Sequence, residues 1–300
     1  VDLDNLLHSI FNFENYGELV ALVQNSIWAG AVLGLLGGLV GTFVMKRDLA
    51  FAVHGISELS FAGAACALLF GADVVLGSLA GSVVAALLLG LMGVRARDKN
   101  STIGVIMPFG LGLGILFLSL YEGRAANKFG LLTGQIVSVG TVQLQVLAVA
   151  AMVVMLALVA IWRPLTFASV DPAVAAARGV PVRGLALGFM LLLGVSVALS
   201  IQIVGALLVL ALLITPAAAA LRVTSSPRLV VLLSVLFAIT ATVGGILLAL
   251  GGRLPISPYV TTLSFLIYVV CRGIGGLRAR RALNGRVVRA TPPPAEAAVQ

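Results

Sequence analysis

Long apolar runs alternate along this chain with short polar stretches that carry almost all of its charge. The runs occupy residues 24–44, 49–70, 74–94, 102–121, 141–161, 184–201, 204–221, 229–251 and 256–272. Within a run the apolar residues are continuous, as in VVLGSLAGSVVAALLLGLMGV (74–94). Coiled as α-helices, runs of about 20 such residues match the hydrocarbon thickness of a bilayer. A transmembrane barrel would instead alternate apolar and polar positions in segments of about ten, and only a helix satisfies its own backbone inside a continuous run. The pattern therefore predicts an all-α fold, a polytopic transmembrane helical bundle of about nine spans. The count turns on residues 184–221, an almost unbroken apolar stretch. Two spans with a tight turn around Ser200 to Gln202 give nine, whereas one span and a re-entrant piece give eight.

Composition sharpens this picture. Of 300 residues, 60% are hydrophobic and 10% charged, with a mean hydropathy of +1.15. An ordinary soluble domain is about 25% charged, so a water-soluble enzyme is excluded. The net charge of +8 does not call for nucleic acid, because the basic residues are spread between apolar runs instead of gathered on a soluble domain. They report topology. Placing Lys46 and Arg47 in the cytoplasm by the positive-inside rule also places Arg95, Arg97, Lys99, Arg163, Arg178, Arg183, Arg222, Arg228 and the tail from Arg272 there. Only Arg124, Lys128 and Arg253 fall outside, together with an acidic N-terminal segment bearing Asp2, Asp4, Glu14 and Glu18. The expected orientation is N-out and C-in.

Three regions follow: an extracytoplasmic or interfacial segment over 1–20, a transmembrane domain over 21–277, and a cytoplasmic tail over 278–300. The tail, RARRALNGRVVRATPPPAEAAVQ, is basic and then proline-rich, a composition that suits anionic membrane lipid or disorder. Cys66 and Cys271 both fall in apolar runs and lack the spacing of a metal or redox motif. No GxxxxGK[ST] sequence occurs among the abundant glycines, so any ATP that drives the protein binds another subunit.

The second run, LAFAVHGISELSFAGAACALLF (49–70), is the most informative. His54 and Glu58 lie four positions apart and share one face of a helix. Counted at 1.5 Å per residue from Asp48, Glu58 lies roughly 15 Å deep, near the midplane. An ionisable group at that depth is costly and marks function by default; imidazole with carboxylate suits zinc, manganese or ferrous iron. The bland reading is a protonated Glu58 hydrogen-bonding between helices beside a neutral, packed His54. Ser57 and Ser60 read as helix-packing residues. In the loop FASVDPAVAAARGVPVR (167–183), Asp171 suits an N-cap and Pro172 the first helical position, and Gly179 followed by Pro181 ends a short helix of about seven residues. Pro216, in LLVLALLITPAAAALR (207–222), is expected to kink a span near its cytoplasmic end.

Over residues 24–272 the sequence resembles the membrane permeases of ATP-binding-cassette importers for zinc, manganese and iron. Three segments carry the likeness. GLLGGLVGTFVMKRDLAFAVHGISELSFAGAACALLFG is similar to the family's first two helices, where a basic turn leads into a GDALSHAVLPG-type sequence. FASVDPAVAAARGVP is similar to its SFDPELAxAxGxP helix, and VGALLVLALLITPAAAA (204–220) to its VGxLLVxALLxxPAATA. The family's Asp and His fall at His54 and Glu58 here, so the two ligand types are exchanged in position. Ala62 stands where the family has a proline.

The resemblance implies that His54 and Glu58 occupy a transmembrane metal site and that 171–179 is a coupling helix, with Asp171, Pro172, Ala175, Ala176 and Gly179 as its matching positions. It further implies two permease subunits, identical in the simplest case, two cytosolic ATPases that bind ATP, and an extracytoplasmic metal-binding protein, assembled at a bacterial plasma (inner) membrane. In that reading the chain is no enzyme and holds no permanent cofactor. It moves zinc in the first instance, manganese in the second, by alternating access. Two other readings compete: a permease for a siderophore- or cobalamin-type chelate, whose wide path needs no ionisable pair at midplane, and a proton-coupled secondary transporter in which Glu58 carries the proton.

Overall fold

The computed structural model describes residues 16–92, 99–123, 130–131, 139–206, 208–251 and 256–290. Among the described residues all regular structure is helical. In chain order the helices are α1 (Tyr16–Leu22), α2 (Gln24–Lys46), α3 (Ala50–Leu69), α4 (Val74–Met92), α5 (Lys99–Leu120), α6 (Thr141–Ala160), α7 (Trp162–Val170), α8 (Pro172–Ala177), α9 (Val182–Val204), α10 (Val209–Leu213), α11 (Thr215–Val223), α12 (Pro227–Leu250) and α13 (Ile256–Ala290). Eight of these, α2 to α6, α9, α12 and α13, are long and apolar enough to cross a membrane. Residues 1–15 and the basic positions Arg95, Arg97, Arg124, Lys128 and Arg253 lie outside the described residues.

Helices α2 and α3 form the centre, and α12, α4, α5 and α9 pack around them. Small residues make the closest contacts, as expected where lipid offers no hydrophobic drive between helices. On α2, a Cβ added at Gly34 would sit 2.8 Å from the Ile239 Cα, and one at Gly38 would sit 2.5 Å from the Val235 Cα. The backbones of α2 and α12 therefore approach closely enough for side-chain hydroxyls to reach across. Ser234 donates to the Gly38 carbonyl and Thr242 to the Gly30 carbonyl, each at 2.9 Å. Around this centre, α5, α6, α12 and α13 turn large apolar side chains outward, among them Phe109, Val146, Leu232 and Phe265, the exterior that a lipid environment requires.

Residues 204–221 do not form the uniform span expected of them. Helix α9 ends at Gly205, with φ of 85°, and the following segment breaks into α10 and α11. Among the described residues there are thus eight long helices and one broken apolar segment, where the sequence left eight or nine spans open. The broken segment nevertheless runs the length of the bundle. At its start the Ser257 hydroxyl lies 3.4 Å from the Val204 carbonyl, and at its end Arg278 Nη1 donates to the Val223 carbonyl at 2.8 Å. Ser257 and Arg278 belong to one helix, on which 21 residues span about 32 Å. Residues Leu208, Val209, Leu212 and Leu213 are buried along the way, so the irregular backbone is shielded by protein, the condition under which such backbone is tolerated at membrane depth.

Pro216 is the second residue of α11, where its missing N–H belongs to the unsatisfied first turn in any case; the break at Ile214 lies two residues before it, where a proline interrupts a span. The basic stretch after residue 278 continues α13 to Ala290; residues 291–300, with the proline-rich end, lie outside the described residues. Of the expected interfacial segment, only α1 from Tyr16 onward is described. Its Tyr16 hydroxyl donates to the Leu247 carbonyl at 3.0 Å, fastening it to α12.

Candidate translocation site

Helix α3 follows α2 after a three-residue turn, and its Ala-rich sequence packs tightly: Ala52, Val53, Ile56, Ala64 and Ala65 are all buried. On this helix His54 Nε2 and Glu58 Oε1 lie 3.7 Å apart, one turn from each other. The i, i+4 geometry expected from the sequence is therefore present. The two side chains differ in access. His54 keeps 33% of its side-chain surface and Glu58 12%, so the imidazole forms the open side of the pair and the carboxylate its floor. His54 Nδ1 is buried without a hydrogen-bond partner, a state that native structures seldom leave unexplained.

Neighbouring elements fix the pair. Helix α5 passes over Glu58 at Gly110, where an added Cβ would lie 3.2 Å from the Glu58 Cβ and 3.0 Å from the Leu59 nitrogen. A larger residue there would press directly on the α3 backbone at Glu58 and Leu59. Ser57 donates to the Ala206 carbonyl at 3.2 Å, beside the break that starts at Gly205. Ser60 bonds the Ser78 carbonyl at 2.8 Å and its hydroxyl at 2.9 Å. Both serines therefore join helices, as their type suggested. Among the described residues no group of three or more His, Cys, Asp or Glu side chains gathers anywhere, so one copy of the chain supplies two donors at this site.

The 171–179 region is a separate unit. Helix α8 has six residues, one fewer than expected. Asp171 Oδ1 accepts from the N–H groups of Ala173 and Val174, both at 3.0 Å, and Pro172 occupies the first turn. At the other end Val180 N–H bonds the Ala175 carbonyl and Gly179 N–H the Ala176 carbonyl, each at 3.0 Å. This paired closure needs a left-handed residue, supplied by Gly179 at φ 81°. Ala175 is buried against the bundle, while Ala176 is exposed, as are Val174 at 45% and Val170 at 81%. The result is a stiff, capped projection with an apolar outer face. It stands apart from the His54 and Glu58 pair, on different elements. Sequence reasoning did not place Gly110 or Ala206 at the site; Gly110 opens a GLGLG run (110–114) among many glycines, and a backbone carbonyl carries no sequence signal.

A helical bundle with an ionisable pair at mid-span, a broken segment beside it and a capped projecting helix defines a membrane permease. The chain matches the model of the ABC 3 transport family over residues 20–273 and belongs to that family. Among its curated relatives, the "Manganese transport system membrane protein MntC" of Halalkalibacterium halodurans is 29% identical over 225 residues, covering 75% of this chain and 77% of that protein. The "High-affinity zinc uptake system membrane protein ZnuB" of Haemophilus influenzae is 23% identical over 246 residues, covering 82% and 94%. In fold the chain is similar to PsaBC from Streptococcus pneumoniae, solved in complex with Fab, with a TM-score of 0.77 at 24% identity over 86% of this chain and 95% of that one. The chain is thus an integral membrane permease subunit of the ABC class.

Proposed function

We propose that this permease moves a divalent transition metal into the cell, with His54 and Glu58 as its passing ligands. The observation that carries the reading is the mid-span pair: a partly open imidazole 3.7 Å from a nearly buried carboxylate, with a second ring nitrogen unpartnered. A wide chelate path has no use for such a pair. Two copies of the chain facing each other across these helices would bring two imidazoles and two carboxylates to one ion, a four-donor set that suits zinc or manganese. The imidazoles favour zinc by ligand type, and manganese stands in the names of several relatives, so both ions belong in the assay.

In this reading two cytosolic ATPases receive α8, ATP binds them and not this chain, and an extracytoplasmic protein delivers the ion. ATP-driven closure displaces α8 and switches the side to which the pair opens. Membership of an ABC family sets aside the proton-coupled alternative. The N-out and C-in orientation is supported by the broken segment: it joins the level of Ser257 to that of Arg278, completing a ninth crossing in two short helices. That crossing brings Arg222, Arg272 and Arg278 to one end of the bundle, the end expected to meet cytoplasmic anionic lipid.

The test is the metal content of metal-starved cells that express the chain with its ATPase and binding protein, compared with His54→Ala and Glu58→Gln at equal membrane levels. Accumulation of zinc or manganese that disappears in both variants supports the site and names the cargo. Accumulation indifferent to both changes refutes the site, and absence of any transition-metal uptake with the ATPase assembled turns the reading to a chelate.

A further inference from the structure

The turn that leads into α3 is held from the side. Arg47 closes α2 with its N–H on the Phe43 carbonyl at 3.0 Å, Leu49 N–H reaches the Val44 carbonyl at 2.9 Å, and Asp48 between them takes φ of 54°. Leu49, buried, then caps α3. A turn this short, with one residue already in the left-handed region, has little slack. The Arg47 side chain does not point to open water. Its Nη1 lies 3.3 Å from Ser169 Oγ, and its guanidinium carbon lies 5.8 Å from the centroid of the Phe189 ring. The Ser169 hydroxyl spends its proton on the Leu165 carbonyl at 2.6 Å, so it faces Arg47 as an acceptor.

These partners flank the projecting helix. Ser169 is on α7, two residues before the Asp171 cap of α8, and Phe189 is on α9, which follows α8. One turn back on α2, the Phe43 ring meets Trp162 at 4.7 Å, nearly edge-on, and Phe189 at 5.9 Å. Both ends of α7 are thereby pinned to the last turn of α2. Among the described residues the one ion pair is that of His54 with Glu58, so no described carboxylate compensates Arg47. Burial lowers the pKa of the guanidinium from its ordinary value, yet arginine keeps its charge in proteins. The half-buried guanidinium thus rests on a neutral hydroxyl and a ring face, and so ties the α2–α3 turn to the elements on either side of α8.

We propose that Arg47 is a positioning residue that carries displacement of the α7–α8 unit into helix α3, and so to His54 and Glu58. This deepens the reading of α8 as the ATPase-docking helix and rests on it. When α8 is pushed, Ser169 moves with it. The hydrogen bond and the ring contact pass that motion to the turn at 47–49, and α3 follows as a rigid rod. From Leu49 to His54 is about 7.5 Å along the helix, so a tilt at the turn reaches the pair directly.

The experiment uses the complete permease–ATPase complex in proteoliposomes, in a Cys271→Ser background that leaves Cys66 as the single native thiol of this chain, with labelling read on the permease band. Cys66 is partly exposed on α3, so its rate of maleimide labelling with and without ATP and vanadate reports movement of that helix. We expect nucleotide to change the rate about threefold with Arg47 in place, and to leave it nearly unchanged in Arg47→Gln and Ser169→Ala, with equal ATPase copurification. Arg47→Lys keeps a donor for Ser169 but not the planar stack, and gives an intermediate response. An undiminished response in Arg47→Gln overturns the proposal, and so does loss of ATPase copurification in both variants, which makes the contact one of assembly. Absence of any response with Arg47 in place overturns it as well. Because labelling needs no metal, a nucleotide response without metal uptake would reject the cargo and leave the Arg47 tie standing.

Discussion

The Ser57 hydroxyl donates to the Ala206 carbonyl at 3.2 Å. This bond joins the helix that bears His54 and Glu58 to the first residues of the broken segment, at a point where Gly205 has already left the helical conformation. Both partners are buried, so Ser57→Ala leaves the Ala206 carbonyl without its donor. The expected cost is about 1 kcal/mol, seen as a lower thermal midpoint of the detergent-solubilised protein. Because the tie adjoins the pair, uptake should fall by more than the loss of folded protein explains; a proportional loss would reduce Ser57 to a packing role.

The exchanged order of imidazole and carboxylate offers a direct test of the proposed site. His54 and Glu58 share one helical face one turn apart, so His54→Asp combined with Glu58→His restores the order of the resembling family on the same face. Uptake should persist in the double variant, with a changed preference between zinc and manganese, while each single change abolishes it. A double variant as inactive as the singles would show that the pair does not act as an interchangeable ligand set.

Glycines on the long helices differ sharply in what surrounds them. Gly38 backs onto Val235, with a Cβ position 2.5 Å from that residue's Cα, whereas nothing lies within 4 Å of a Cβ at Gly104. Gly38→Ala should destabilise the bundle by about 1–3 kcal/mol through overpacking. Gly104→Ala should be neutral or slightly stabilising, since Ala is the better helix former. Thermal unfolding of the two variants side by side checks both, and equal midpoints would contradict the close α2–α12 approach.

The caps of α8 are separable from its exposed surface. Asp171→Ala removes the acceptor for two backbone N–H groups, costing about 1 kcal/mol locally. Gly179→Val puts a β-branched residue at φ 81°, where strain of the order of 1–3 kcal/mol arises. Both should weaken copurification of the ATPase with little effect on the thermal midpoint of the permease, because α8 contributes only Ala175 to the buried interior. Full copurification in both would remove α8 from the docking reading.

Much of this architecture was legible in residue order. A membrane bundle follows from continuous apolar runs, since backbone polar groups inside lipid have no partner but their own helix. The α8 caps were legible because Asp171, Pro172 and Gly179 each act on their nearest neighbours, over two or three residues. The same holds for His54 and Glu58, whose meeting needs nothing more than one helical turn.

Local rules stop where a property belongs to two segments at once. That 204–223 breaks at Gly205 and Ile214 yet still runs from Ser257 to Arg278 depends on buried neighbours that shield its backbone; an apolar run reads the same whether it coils once or twice. Gly110 over Glu58, Ala206 beside Ser57 and Ser169 against Arg47 lie 52, 149 and 122 positions away from their partners. The sequence by itself determined the long helices, the caps of α8 and the meeting of His54 with Glu58, because those interactions close within a turn or two of chain. Tertiary packing alone decided which helix presses on the pair, how the broken crossing is sheltered and what holds the turn before α3, because those contacts exist only once distant segments have been brought together.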